Sequence, residues 1–346
     1  KKIRIKMKPL DRICQRVLLL ILIGSFILQL ISGRMLDNCI TNWNQTSSVV
    51  LDTPNSTQSP LELSDSFHWN STTSHIDYST PIWQESNPHH CRACWAFSTI
   101  YMLTERLNIV RNNAFPHIYL SPQYLLSCNV KNKGCHGGNV NAALKFIHAN
   151  GIVDQSCSPY LARGHTNGAS CTTKSFCQTC SFYGDCILPA KVPFVTISQY
   201  GTITTPTEMK QEIASRGPIV CKICTKNTFY ADYTSGIFGS DNTTCHQPDR
   251  YVTVIGWSKD ETSKLDYWII KESLGIQWGE GGFMRLQQGQ RALGIETFGC
   301  DWAGVDVDIV DRVASVDWPF DVVDSEFGGD GISGDGVANR GFEGVG

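Results

Sequence analysis

The most informative segment of the sequence is Cys91-Arg92-Ala93-Cys94-Trp95-Ala96-Phe97-Ser98. It leads into residues 100–111, where apolar residues recur with polar ones between them, as on one face of an α-helix. This predicts that Cys94 lies at the start of a helix, where unpaired N–H groups and the helix dipole favour a negative charge. A thiol in such a position ionises more readily, and a thiolate is the nucleophile of cysteine enzymes.

Other interpretations of this cysteine pair stay open at this point, because two cysteines separated by two residues also occur in redox pairs and in zinc half-sites. Fifteen cysteines among 346 residues indicate an oxidising compartment, where most cysteines are disulfide halves. The chain is 41% hydrophobic and 18% charged, with a formal net charge of −3, which is typical of a globular protein with a sizeable core. This charge gives no reason to expect nucleic acid or an anionic membrane as a partner.

The N-terminal region carries the pattern of a secretory signal peptide. Residues 7–33 contain a basic stretch, an apolar run at 17–31 and small residues after it. A signal-anchor helix is the alternative, although the run is short for a full membrane span. We expect a protein of the secretory pathway, lysosomal or extracellular. Four N-x-[ST] sequons predict glycosylation sites at Asn44, Asn55, Asn70 and Asn242.

The remaining chain divides by composition. Residues 34–61 are rich in Ser, Thr, Asn and Pro and predict a short pro-segment, in which Cys39 is interpreted as an unpaired or surface cysteine. Residues 62–303 form the predicted compact domain. Residues 304–346 are acidic and rich in glycine, and we predict that they are disordered.

Helical patterns come first in the compact domain and strand patterns later. Ser121 and Pro122 are typical of a helix start, and Gly151 is typical of a helix end. This order predicts an α+β fold with two lobes and a cleft between them. The predicted helices are 94–111, one opening at Ser121, 140–150 and 207–215, and the predicted strands are 218–224, 251–257, 267–271 and 282–286.

Five cysteines are concentrated in one loop of this domain. Their spacing also suits zinc, but no histidine is placed to complete a ligand set and the compartment oxidises thiols. We therefore predict disulfides in the loop, and neither a metal nor a cofactor in the protein. The five are Cys157, Cys171, Cys177, Cys180 and Cys186.

Residues 91–98, the Gly137-Gly138 turn, the Gly256-Trp257 pair and Trp278-Gly279-Glu280 follow one another as in papain-like cysteine peptidases, and residues 62–303 resemble that family. The resemblance implies a helical left lobe headed by Cys94 and a right lobe built on a β-barrel. It also implies that Gly137 and Gly138 pair with substrate backbone, that Trp278 contributes to substrate binding, and that the reaction is thiol-dependent peptide bond hydrolysis.

The same resemblance implies one disulfide, between Cys91 and Cys135. Within the family, the chain is most similar to an exopeptidase-type subgroup with a short insertion before the nucleophile and a short pro-segment that holds one cysteine. When Cys14, Cys39 and Cys94 are set aside, twelve cysteines remain, so full pairing can occur. Cys224 and Cys245 are a candidate pair beyond the family's set.

Three positions depart from the family's catalytic pattern. The histidine is expected six residues before Gly256, where this sequence has Arg250. The asparagine is expected four residues after Trp268, where it has Glu272. The glutamine that donates to the oxyanion aligns with Glu85, and Gln84 takes this place if the register slips by one residue.

These replacements are expected to stop proton transfer. Arginine stays charged near neutral pH and cannot protonate a leaving amine, and a carboxylate at the oxyanion position would repel developing negative charge. We expect Arg250 and Glu272 to form a salt bridge that fills the site. His90 and His246 lie near in sequence, and we interpret both as surface histidines rather than substitutes.

The sequence therefore supports a papain-like peptidase by resemblance, with activity expected to be lost or crippled. The alternative is a catalytically inactive secreted homologue that binds peptides or a protein partner. A third hypothesis is a decayed or mis-predicted gene product, suggested by the absent initiator Met and the unusual tail. We expect a monomer with a peptide or protein ligand, no nucleic acid, and no membrane contact beyond the signal segment.

Overall fold

Four α-helices are present in the part of the chain that the structure describes. The computed structural model describes residues 38–41, 63–69, 76–172, 175–225, 229–239, 245–306 and 310–313. The helices are α1 (Cys94–Val110), α2 (Pro122–Cys128), α3 (Val140–Asn150) and α4 (Pro206–Arg216). Each lies where the sequence predicts one, with bounds that differ by at most one residue at either end.

Side chains cap three of these helices at their first turns. Ser121 accepts a hydrogen bond from the Tyr124 N–H at the start of α2, and Asn139 accepts one from the Ala142 N–H at the start of α3. Thr205 and Glu208 form a reciprocal capping box at α4. These polar residues satisfy N–H groups that have no partner inside a helix, so local sequence sets where each helix begins.

The strands that follow form one large mixed sheet. The described strands are β1 (Phe67–His68), β2 (Ile152–Val153), β3 (Thr179–Cys180), β4 (Cys186–Ile187), β5 (Lys191–Val195), β6 (Ile197–Ile203), β7 (Ile219–Ile223), β8 (Ile237–Phe238), β9 (Arg250–Lys259), β10 (Asp266–Lys271), β11 (Phe283–Gln287), β12 (Cys300–Val305) and β13 (Val310–Val313). In the large sheet the order is β6-β12-β7-β9-β10-β11-β8, β1 pairs with β9, and among these strands only β11 and β8 pair in parallel. A second sheet has the order β13-β5-β2, and β3 and β4 form a hairpin.

The central helix α1 is buried on all sides. Every residue from Cys94 to Asn108 is buried, so its apolar residues do not form one clean face. Its two charged residues have buried partners: Glu105 pairs with Lys271, and the Arg106 guanidinium lies 2.8 Å from Glu212. Such pairing is what allows charges inside a core.

Six disulfides join the twelve cysteines that remain when Cys14, Cys39 and Cys94 are set aside. They include all five cysteines of the cysteine-rich loop, which confirms the preference for disulfides over zinc there. The Cys91–Cys135 bond implied by the family resemblance is present, and so is the candidate bond Cys224–Cys245. The other four bonds are Cys128–Cys171, Cys157–Cys177, Cys180–Cys186 and Cys221–Cys300.

The ordered chain extends past the predicted domain boundary at residue 303. β12 continues through Gly304 and Val305 along β6, and β13 pairs with β5. The predicted signal segment, the four sequons, residues 42–62 of the pro-segment and its surroundings, and the tail beyond residue 313 lie outside the described residues. Among the helices that are described, none has the length and apolar character needed to span a bilayer.

Candidate functional site

The candidate site lies where the first turn of α1 meets β9. The Tyr251 N–H donates to Cys94 Sγ at 3.2 Å, and the Ser98 hydroxyl donates to the Tyr251 carbonyl at 3.1 Å. The Thr253 hydroxyl donates to the Ser98 carbonyl at 3.3 Å. These contacts fix the start of the helix against the strand that carries the residue at the expected histidine position.

Cys94 carries no free thiol in this structure. It forms a disulfide with Cys39, and both residues are at most 1% exposed. The interpretation of Cys39 as an unpaired or surface cysteine is therefore wrong, and the expectation of a free thiolate at Cys94 does not hold while this bond is intact. Among the described residues, the Cys94 sulfur has one other partner, the Tyr251 N–H.

The segment around Cys39 pairs through its backbone with Gly138 and Asp249. The Cys39 N–H donates to the Asp249 carbonyl at 2.9 Å, and the Cys39 carbonyl accepts from the Gly138 N–H at 2.8 Å. The Thr41 N–H donates to the Gly138 carbonyl at 2.9 Å, which makes Ile40 a parallel bridge partner of Gly138. The backbone edge predicted to hold substrate thus holds residues 38–41 of this chain, which belong to the predicted pro-segment.

Two glycines make this close approach sterically feasible. A Cβ at Gly137 would lie 2.9 Å from the Cys39 carbonyl oxygen, and a Cβ at Gly138 would lie 2.4 Å from the Trp95 ring. Gly137 also has φ 99° and ψ 172°, a backbone conformation that is essentially restricted to glycine. Gly137 therefore determines how closely the segment packs, while Gly138 is needed for the domain itself.

Replacing Gly137 with alanine is expected to loosen residues 38–41. The new methyl group would push on the Cys39 carbonyl and weaken its hydrogen bond from Gly138, an effect of about 1 kcal/mol, or about fivefold. A dithiol should therefore reduce the Cys39–Cys94 bond about fivefold faster, measured by alkylation of Cys94 and mass spectrometry. Gly168→Ala is the matched control, because Gly168 also has a positive φ, of 103°, but no atoms lie within 4 Å of its added Cβ.

Arg250 occupies the expected histidine position and is held by two buried carboxylates. Its Nε donates to Glu272 Oε1 at 2.7 Å and its Nη2 to Glu272 Oε2 at 2.8 Å. Its Nη1 donates to Glu85 Oε1 at 3.1 Å. The three side chains are between 1% and 4% exposed. The predicted Arg250–Glu272 salt bridge is therefore present, and it is bidentate, the strongest geometry for this pair.

Two further polar side chains complete this cluster. The Ser273 hydroxyl donates to Glu85 Oε2 at 2.7 Å, and the Ser273 N–H donates to Glu272 Oε2 at 2.8 Å. The Tyr230 hydroxyl donates to Glu272, and its ring packs against Trp278 with centroids 5.1 Å apart. Trp278, predicted to bind substrate, is 9% exposed and reaches this cluster through its contact with the Tyr230 ring.

The electrostatics keep Arg250 charged. Burial alone would lower the pKa of its guanidinium, but the Glu272 and Glu85 carboxylates hold that pKa well above its ordinary value. Burial raises the pKa of the Glu85 carboxyl, the Arg250 charge opposes this, and the Glu272 charge adds to it.

The register of the oxyanion segment places Glu85, rather than Gln84, in the cluster. The Glu85 N–H donates to the Ser273 carbonyl at 2.8 Å, and Gln84 is an antiparallel bridge partner of Leu274. The side-chain oxygen of Gln84 has no hydrogen-bond partner among the described residues. A carboxylate therefore lies where the family pattern expects a hydrogen-bond donor.

No histidine in the described part of the chain is buried as Cys94 is. Each histidine in the described ranges is exposed or partly exposed, including His90 and His246, whereas Cys94 is fully buried. Within the same ranges, no group of three or more His, Cys, Asp or Glu side chains could hold a metal ion.

Sequence reasoning missed three contributors: Cys39, Tyr230 and Ser273. Only Cys39 left a signal. With Cys14 in the predicted leader, fourteen cysteines remain, an even number that includes both Cys39 and Cys94. Tyr230 and Ser273 reach the site through the fold alone, and no local pattern distinguishes them.

A family model described as papain family cysteine protease matches residues 64–300. The chain belongs to the papain family. This membership agrees with the α+β fold and with the position of Cys94 at the head of the central helix. Glu85, Arg250 and Glu272 lie at the three positions where the sequence analysis expects the family's glutamine, histidine and asparagine.

Curated relatives fall within the same family. Cathepsin Z of Onchocerca volvulus is 32% identical over 212 residues, which cover 61% of this chain and 66% of the relative. Cysteine endopeptidase Rep1 of Oryza sativa subsp. japonica is 31% identical over 202 residues, 57% of this chain and 48% of the relative. A gut-specific cysteine proteinase of Caenorhabditis elegans is 29% identical over 221 residues, 60% and 64%. The chain thus spans about half to two thirds of the length of these relatives.

Proposed function

We propose that this papain-family protein holds an extended peptide in its cleft without hydrolysing it. The observation that carries this proposal is the buried cluster of Arg250, Glu272 and Glu85 at the positions of the family's acid–base and oxyanion groups. Peptide hydrolysis through a thiolate needs a group that takes up and returns a proton. A guanidinium held between two carboxylates cannot do so.

The oxyanion position supports the same proposal. A tetrahedral intermediate needs hydrogen-bond donors aimed at its negative oxygen. The Glu85 carboxylate presents only acceptors when it is ionised. It is held in place by Arg250 and Ser273, so it cannot turn away without leaving a buried charge unpaired.

The cleft nevertheless keeps its capacity to bind backbone. Three backbone groups of residues 38–41 already pair with the domain, two of them with Gly138, much as a peptide strand pairs with an exposed edge. The ligand class that fits is an extended peptide or a protein segment. The similarity to cathepsin Z of Onchocerca volvulus and the seven disulfides favour a protein of the secretory pathway, lysosomal or extracellular.

The test uses the full-length Cys39→Ser variant, in which Cys94 cannot be bridged to the pro-segment. We expect its hydrolysis of fluorogenic peptides, with free or blocked C-termini and from acidic to neutral pH, to equal that of the Cys39→Ser/Cys94→Ser double variant. Loss of the general acid–base group alone costs a factor of about 10²–10⁴. Hydrolysis that depends on Cys94 would instead support the second candidate, a working exopeptidase, which the retained position of Cys94 at the start of α1 favours.

A further inference from the structure

Residues 38–41 show how the cleft binds a peptide. All three hydrogen bonds that this segment makes to the domain use its own backbone, namely the N–H and C=O of Cys39 and the N–H of Thr41. Apart from the sulfur of Cys39, the contacts that hold the segment to the domain do not depend on particular side-chain polar groups. An extended peptide with a cysteine in this position, and with an N–H two residues after it, can therefore present the same groups.

Formation of the Cys39–Cys94 disulfide differs chemically from peptide hydrolysis in one respect. Thiol–disulfide exchange needs a thiolate nucleophile and a thiolate leaving group, and no amine has to be protonated. The cluster around Arg250 therefore removes hydrolysis without removing exchange. Cys94 keeps what exchange requires, because it starts α1 and its sulfur accepts the Tyr251 N–H.

We propose that Cys94 retains extended, cysteine-bearing peptides by thiol–disulfide exchange, in the place that residues 38–41 occupy. The proposal rests on the proposed function, since an active peptidase would cleave such ligands. In the exchange, the thiolate of the incoming peptide attacks Cys94 Sγ and forms a new S–S bond. The Cys39–Cys94 bond breaks, and Cys39 leaves as a thiolate. One thiol and one disulfide are present before and after, so no oxidant or reductant is consumed.

The tethered segment competes with every external peptide. Because Cys39 belongs to the same chain, its effective concentration at Cys94 is in the range of about millimolar. An external cysteine peptide must therefore be supplied at about that concentration to displace it from the native protein. Removing the Cys39 thiol removes the covalent part of this competition and leaves only the backbone hydrogen bonds of residues 38–41, so adduct formation should then need a lower peptide concentration.

The experiment uses the full-length Cys39→Ser variant and the blocked peptide Asn-Cys-Ile-Thr, which copies residues 38–41. The peptide is supplied as its symmetrical disulfide together with an equal concentration of glutathione disulfide. The Cys94 thiolate attacks one sulfur, and one peptide or glutathione thiolate leaves. Adducts on the Cys94-containing proteolytic fragment are then counted by mass spectrometry.

We expect the tetrapeptide adduct to exceed the glutathione adduct by about tenfold or more, since only the tetrapeptide can repeat all three backbone hydrogen bonds. The matched probe Asn-Cys-Ile-Pro has the same thiol but lacks the N–H that donates to Gly138. Its adduct should be about fivefold less abundant than that of Asn-Cys-Ile-Thr. The native protein, in which Cys94 is bridged to Cys39, should give the same adduct when the peptide is supplied in its reduced, thiol form at millimolar concentration. Cys94→Ser should give none at this position.

Equal amounts of tetrapeptide, proline-probe and glutathione adducts would overturn the proposal, because they would show a reactive thiol without peptide recognition. Absence of any adduct at Cys94 in both the native protein and the Cys39→Ser variant would also overturn it. The proposed function is judged separately in the same spectra. Shortened peptides that depend on Cys94 would contradict the lack of hydrolysis, whatever the adduct ratios are.

Discussion

Replacing Arg250 with methionine is expected to lower the free energy of unfolding by about 3–5 kcal/mol. Methionine fills much of the same space but leaves the Glu272 and Glu85 carboxylates buried, adjacent and without a cation. Breaking one side of a buried ion pair is costly, because the remaining charge keeps its desolvation penalty and loses its partner. Urea unfolding followed by tryptophan fluorescence measures the change.

The pH dependence of this loss distinguishes electrostatics from packing. Burial and the Glu272 charge already raise the pKa of the Glu85 carboxyl, and removing the Arg250 charge that opposes them raises it further in the folded state. A folded-state pKa above the unfolded one gives stability that is present at low pH and lost as pH rises through the folded pKa. The deficit of Arg250→Met should therefore shrink on acidification. A deficit that is the same at acidic and neutral pH would indicate lost packing instead.

Arg285→Met is the matched control for this substitution. Arg285 also pairs with a glutamate, Glu280, at 2.7 Å, but the two side chains are 32% and 27% exposed. Solvent screens such a pair, and its loss should cost about 1 kcal/mol or less. Comparable losses for the two variants would show that burial does not set the strength of the Arg250 cluster.

Restoring the family's residues at three positions is expected to create hydrolytic activity. In the Cys39→Ser background, Arg250→His supplies a proton carrier, Glu272→Asn a neutral partner that orients it, and Glu85→Gln a donor to the oxyanion. A general acid–base group contributes a factor of about 10²–10⁴, and one oxyanion donor about 10²–10³. We expect the triple change to raise peptide hydrolysis at least about 100-fold over its parent, measured with fluorogenic peptides.

The single change Arg250→His should not suffice. A histidine placed between the Glu272 and Glu85 carboxylates would be held as the imidazolium, because neighbouring negative charges raise its pKa, and it would be a poor donor of its proton to the leaving amine. The triple variant with Cys94→Ser is the control for contaminating peptidases. A folded triple variant that stays inactive would show that more than these three side chains separates this cleft from a working one.

Much of the fold could be predicted because local signals were strong. Ser121 before Pro122, and Gly151 after an amphipathic run, specify helix ends through hydrogen-bonding needs that neighbours in sequence decide. Central strands such as β9 and β10 could be predicted because runs of apolar and β-branched residues favour strands, which is also a local property of the sequence. The extension of β12 and the addition of β13 were missed, because acidic, glycine-rich sequence resembles a solvated tail until a partner strand is known.

The candidate site was predicted only in part, because its chemistry depends on distant residues. Counting from Gly256 and Trp268 located Arg250 and Glu272, and opposite charge predicted their salt bridge. The inclusion of Glu85 in the same cluster required knowing that two separate segments pair side by side. The bond between Cys39 and Cys94 spans 55 residues and joins the predicted pro-segment to the predicted domain, so no local pattern could indicate it.

The Cys39–Cys94 bond also determines what proteolytic processing of this chain would produce. A cut anywhere between Thr41 and Leu63 would sever the backbone, yet the N-terminal fragment would stay attached through sulfur. The product would be a two-chain molecule with the mass of the single chain plus one water, and a reductant would separate its two pieces. Release of residues 38–41 from Cys94 would therefore take two distinct chemical events, one hydrolytic and one reductive.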